Sequence, residues 1–66
     1  MKVTDFKVIW GGSFYQIQPK TGEAAALLRE RSPEDALFWG DALMVTPEYI
    51  GLWIIAIQQA CLEEVA

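Results

Sequence analysis

The stretch Phe6-Lys7-Val8-Ile9-Trp10-Gly11-Gly12-Ser13-Phe14-Tyr15-Gln16-Ile17-Gln18 decides how the chain begins to fold. Apolar and polar residues alternate on both sides of a glycine pair, and a period of two marks a strand with one buried face. Gly11-Gly12 supplies the positive φ that a tight hairpin turn requires. Taken as a two-residue loop, it sets Ile9 opposite Phe14, Val8 opposite Tyr15 and Phe6 opposite Ile17. One face then carries Phe6, Val8, Trp10, Tyr15 and Ile17, and the other carries Asp5, Lys7, Gln16 and Gln18. The pair Ile9 and Phe14 breaks this division, because it places two apolar residues on the polar face. Pro19 ends the second strand, since it has no N–H to give to a ladder.

Beyond the hairpin, Thr21-Gly22-Glu23 opens a helix that runs through Ala24-Ala25-Ala26-Leu27-Leu28 to Arg31. Thr21 is its N-cap, Glu23 suits the positive end of the helix dipole, and Arg29 and Arg31 suit the negative end. Ser32-Pro33-Glu34-Asp35 repeats the start signal and predicts a short helix, Pro33 to Trp39, stopped by Gly40. Asp41-Ala42-Leu43-Met44-Val45 reads as a short buried strand. Thr46-Pro47-Glu48 then opens the longest helix, which extends to about Glu63. The order β-β-α-α-β-α predicts an α+β domain: a three-stranded antiparallel sheet with helices packed on one face.

On a wheel of 3.6 residues per turn, Tyr49, Ile50, Trp53, Ile54, Ile57, Ala60 and Cys61 form one broad face, directed at the sheet. The other side holds Gly51, Leu52, Ile55, Gln58 and Leu62 beside Glu48 and Gln59. A helix apolar on more than one side is covered twice or faces a partner. Two readings stay open. The short helix Pro33–Trp39 covers the second stripe, or the stripe is an association surface where Gly51 lets another backbone approach.

Composition limits what such a chain can be. Its 66 residues are 53% hydrophobic, with nine acids, five bases, one cysteine and no histidine. The length fits one domain, residues 1–66, and folding at this size hides only about 60% of the unfolded surface. One cysteine cannot close an intrachain disulfide, and without histidine no structural zinc site is expected. The net charge of −4 argues against direct nucleic-acid binding. No apolar run approaches the roughly 20 residues of a membrane span, and no secretory signal is evident, so a soluble cytoplasmic protein is expected.

The same inventory gives no catalytic constellation. A serine, cysteine or threonine nucleophile needs a base within hydrogen-bond reach, and histidine is absent. Ser13 belongs to a turn, Ser32 to a cap, and Cys61 to an apolar helix face. Neighbours in Glu34-Asp35 and Glu63-Glu64 project about 100° apart on a helix, so neither pair shares a proton or a metal. Gly11-Gly12 lacks the lysine and the following helix of a phosphate loop. No enzyme activity, cofactor or metal is expected.

Charge is distributed unevenly. Residues 1–20 carry +2 and residues 21–66 carry −6. Glu23, Glu30, Glu34, Asp35, Asp41 and Glu48, with Trp39 as an aromatic anchor, are the candidate partner-binding residues. Acids also collect at helix N-termini for solubility and dipole reasons alone. As one face, however, they would fit the basic groove of a protein that handles nucleic acid and occupy it as a DNA mimic.

From Pro19 to Leu62 the chain resembles a family of short, largely uncharacterised bacterial and phage proteins. The likeness rests on Pro19-x-Thr21, Pro33-Glu34-Asp35-Ala36, Phe38-Trp39, Ala42-Leu43-x-Val45 and Tyr49-Ile50. The chain departs from that pattern at Glu48, where a basic residue is common, and in lacking a glycine before Leu62. The resemblance implies a fold and a phage or prophage ancestry, with no activity attached. In size, acidity and single-domain form the chain is also similar to anti-CRISPR inhibitors. The expectation is a non-enzymatic inhibitor that binds a host nucleic-acid-handling complex, such as a CRISPR effector subunit, through its acidic surface. Such a protein is expected as a monomer or weak homodimer; the alternatives are a small homo-oligomeric structural or accessory module that associates through its C-terminal helix, and an antitoxin-like partner of a basic protein.

Overall fold

The alternation around the glycine pair produces two strands, β1 (Phe6–Trp10) and β2 (Tyr15–Pro19), in a computed structural model that describes the backbone of residues 2–65 and the side chains of residues 2–62. The Glu63-Glu64 pair therefore lies outside the described side chains. A short 3-10 turn, Val3–Asp5, leads into β1.

The hairpin turn lies one residue later than the glycine pair suggests. Gly11 N–H donates to the Phe14 carbonyl at 2.7 Å, so Gly12 and Ser13 are the central residues. Gly12 has φ +92°, the left-handed value that a turn with glycine at its first central position needs. Trp10 now faces Tyr15, Val8 faces Ile17, Ile9 faces Gln16 and Phe6 faces Pro19. Every partner moves by two positions, and because strands have period two, both face assignments survive. What changes is local: Ile9 no longer meets Phe14, which leaves the ladder.

Helix α1 (Gly22–Arg31) starts where its cap predicts, with Thr21 Oγ1 accepting from Ala24 N–H at 3.1 Å. Ser32 differs from its expected role. It closes α1 by donating its hydroxyl to the Leu28 carbonyl, and does not open a second helix.

The predicted helix Pro33–Trp39 is absent, and a fourth strand stands in its place. Pro33 to Leu37 forms a turn and irregular backbone, followed by β3 (Phe38–Trp39) and β4 (Ala42–Val45). Gly40, at φ +63°, and Asp41 make the turn between them. Two physical effects outweigh the start signal at Ser32-Pro33. A helix of about two turns cannot repay its nucleation. A Gly-Asp turn between apolar dipeptides pairs Phe38 with Leu43 and Trp39 with Ala42 at once. The sheet therefore has four antiparallel strands in the order β1-β2-β4-β3, where three were expected. Asp41 lies in the turn, outside the strand assigned to it.

β4 is a central strand, with Ile17 opposite Leu43 and Tyr15 opposite Val45. The sheet residues in the core cluster, Phe6, Ile17, Leu43 and Val45, all point to one face. There they join Ala24 and Leu28 of α1 and Ile57 and Cys61 of helix α2 (Ile50–Val65), so the helices cover one face as expected. Thr46-Pro47-Glu48 forms a turn, in which Tyr49 N–H donates to the Thr46 carbonyl at 3.0 Å, and α2 begins at Ile50. No helix among the described residues is long and apolar enough to cross a membrane.

Both turn glycines have open space where a Cβ would sit, so replacing them tests backbone conformation alone. Gly12→Ala and Gly40→Ala should each cost about 1 kcal/mol in urea unfolding, the penalty of holding an L-residue at positive φ. An unchanged midpoint in either variant would contradict the turn assignment.

Candidate interaction site

Helix α2 divides into two faces about 180° apart. Ile57, Ala60 and Cys61 are buried, and Ile50 and Trp53 are half-buried against the core. Diametrically opposite lie Leu52, Ile55, Gln59 and Leu62, whose 3-4-3 spacing keeps them within an 80° stripe. Leu52 is 65% exposed, Ile55 52% and Leu62 70%. The segment that one of the two readings sets over them, Pro33 to Trp39, is a turn and a strand on the opposite edge of the sheet from β1, and the stripe stays open. Gly51, Gln58 and Gln59 are exposed too, so Gly51 to Leu62 presents no charged residue.

The acidic candidates are all at the surface, as helix ends and turns place them. Glu23 and Glu30 stand seven residues apart on α1, on one side of the helix and about 10 Å apart along its axis. Glu34 and Asp35 occupy the turn after α1, and Glu48 the turn before α2. Asp41 is drawn into a different arrangement. Arg29 Nη2 lies 3.5 Å from Asp41 Oδ1 and donates to the Gly40 carbonyl at 3.4 Å. Its guanidinium also sits 4.9 Å from the centre of the Phe38 ring. The arginine read from sequence as a dipole partner thus pins the β3–β4 turn to α1 and offsets the charge of Asp41. Trp39, beside that turn, is 73% exposed and outside the core.

A groove of about 410 Å³ opens between the 33–37 segment, β4 and the start of α2. Phe14, Leu37, Tyr49 and Trp53 line it, with Asp35 as its one charged residue. Of the hydroxyl and thiol groups near this groove and helix α2, Thr46 lines the groove, and Ser13 is exposed in the hairpin turn. Ser32 is bonded to Leu28, the Cys61 thiol is buried, and Thr46 Oγ1 is buried without a hydrogen-bond partner. Among the described residues no group of three His, Cys, Asp or Glu side chains gathers as a metal site.

The signals missed in the sequence were Gly40-Asp41 as a turn and Arg29 as its anchor. The turn was legible, since Gly-Asp between apolar dipeptides is a hairpin signature, whereas the anchor depends on a contact made only in the folded chain. Asp41→Ala should change unfolding free energy by less than about 1 kcal/mol, as befits an exposed ion pair. Arg29→Ala should cost more, because it also removes the contact over Phe38. Equal effects in urea titrations would show that the ring contact contributes nothing. Comparison of the chain with protein-family models, with curated proteins and with solved structures found no match to any of them.

Proposed function

We propose that the protein is a non-enzymatic interaction module whose working surface is the outward face of α2, and that a second copy of the chain is its partner there. The carrying observation is the exposure of Leu52, Ile55 and Leu62 on one uncharged stripe. Burying such side chains is worth roughly 1.5–3 kcal/mol each, a strong drive toward association. The stripe is self-complementary. In an antiparallel pair Leu52 meets Leu62, Ile55 meets Gln59, and the helix dipoles oppose one another. A helix of 16 residues is about 24 Å long. It offers less than the roughly 800 Å² per partner of a standard interface, so the association is weak and reversible.

A second reading draws on charge. Glu23, Glu30, Glu34, Asp35 and Glu48 are all exposed, and the chain beyond residue 20 carries −6. This supports a phage-type inhibitor that occupies the basic surface of a nucleic-acid-handling protein, as an anti-CRISPR protein does on an effector. Asp41, held by Arg29, contributes least to such a surface.

Sedimentation equilibrium tests the first reading. The average mass should rise above 7.4 kDa as the protein passes ~100 μM, the scale of a contact worth roughly 5–6 kcal/mol. Ile55→Glu should return it to the monomer, with the unfolding midpoint of the dilute wild-type chain at every concentration. A wild-type chain that stays monomeric throughout would exclude self-association. For the second reading, reversal of Glu30, Glu34 and Asp35 to lysine should weaken capture by a basic partner tenfold or more. Unchanged affinity would remove it.

A further inference from the structure

Among the described residues β1 is an edge strand, bonded to β2 on one side and to no strand on the other. Which of its backbone groups face outward follows from its hydrogen bonds. Lys20 N–H donates to the Asp5 carbonyl and Gly11 N–H to the Phe14 carbonyl, both at 2.7 Å, so the pairs 5–20 and 11–14 are hydrogen-bonded ones. Bonded and non-bonded pairs alternate in an antiparallel ladder. Lys7 and Ile9 therefore bond β2, while Phe6, Val8 and Trp10 turn their N–H and C=O away from it. The Phe6 N–H is already engaged by the Val3 carbonyl. Val8 and Trp10 keep both groups outward, and Phe6 its carbonyl.

The side chains repeat the asymmetry. Val8 is 42% and Trp10 53% exposed, although both lie on the face that the helices cover further along. The opposite face of the strand carries Lys7, exposed, and Ile9, half-buried. Lys7 is the one charged residue of β1, within a segment of net charge +2.

We infer that the outer edge of β1 is a docking edge for an extended segment of a partner protein that carries an acidic residue opposite Lys7 and apolar residues opposite Val8 and Trp10. Strand addition supplies affinity through the backbone bonds, and alternate side chains supply selectivity. A partner strand would satisfy the outward groups of Val8 and Trp10 and bury their side chains. A second copy of β1 would bring together two hairpins whose one charge is Lys7, whereas an acidic strand is complementary to it. The 3-10 turn at Val3–Asp5 closes one end of the edge and sets the length of the segment it accepts. This inference is independent of the stripe on α2.

The test is an NMR titration of the full chain with the extended peptide Val-Thr-Val-Glu-Val, whose glutamate falls opposite Lys7 in antiparallel register. At millimolar peptide the amide signals of Val8 and Trp10 should shift and their exchange with solvent should slow about tenfold. The peptide with lysine in place of glutamate should bind about fivefold more weakly, the size of one cross-strand charge pair. Val8→Pro removes an outward N–H and leaves the bonds of Lys7 and Ile9 to β2, so it should abolish binding while those two amides stay protected. Shifts confined to other elements, or equal binding by Val8→Pro, would overturn the proposal. Equal binding of both peptides would overturn the acidic partner. Protection of Val8 and Trp10 that rises with protein concentration alone would assign the edge to a second copy.

Discussion

Ile17 and Leu43 lie directly opposite one another on the two central strands, and with Leu28 of α1 they are the largest fully enclosed side chains among the described residues. Everything else is arranged around keeping that group dry. The two glycine-led turns hold β1 and β3 in register beside the central pair. Thr21 and Ser32 close the ends of α1 so that Leu28 can be buried without orphaned backbone groups. α2 closes the same cluster with Ile57 and Cys61. A chain of this length has little more to bury, and its stability rests on a few contacts that must all be made.

That limit explains the surface. The apolar residues are more numerous than one small core can hold, and the excess appears in ordered places. Leu52, Ile55 and Leu62 form a stripe along α2, and Val8 and Trp10 form a row at the edge of the sheet. Scattered exposed apolar residues are ordinary in soluble proteins. A row at heptad spacing without charge and an open strand edge are different, because each matches a known geometry of association. The acids are distributed around the remaining surface, where they keep such a protein dispersed.

Much of this was legible in the sequence, for identifiable reasons. The alternation from Phe6 to Gln18 determined which side chains share a face, and that survived an error in the turn because a shift of two leaves the faces intact. Thr21 was a reliable cap, since no competing structure uses its hydroxyl. Failures came where two local signals overlapped. Ser32-Pro33-Glu34 is a good helix start, and Gly40-Asp41 a good hairpin turn, and residues 33–40 could obey only one. The long-range pairing of Phe38 with Leu43 decided between them, and pairing of that kind is invisible to helix signals read along the chain. For the same reason the shielding of α2 by a helix at 33–39 was not realised. The acidic residues were easy to find, but the engagement of Asp41 by Arg29 was not, because it depends on a turn brought against α1 only in the folded chain.

The central claim is that the outward face of α2 is a contact surface, covered by a second copy when the protein is concentrated. Self-association of the folded state couples stability to concentration. The most direct measurement is the thermal unfolding midpoint of the wild-type chain over a wide range of protein concentration. The account predicts a midpoint that climbs steadily with concentration. A midpoint constant across the range would contradict it, leaving α2 with an exposed stripe and no second copy upon it.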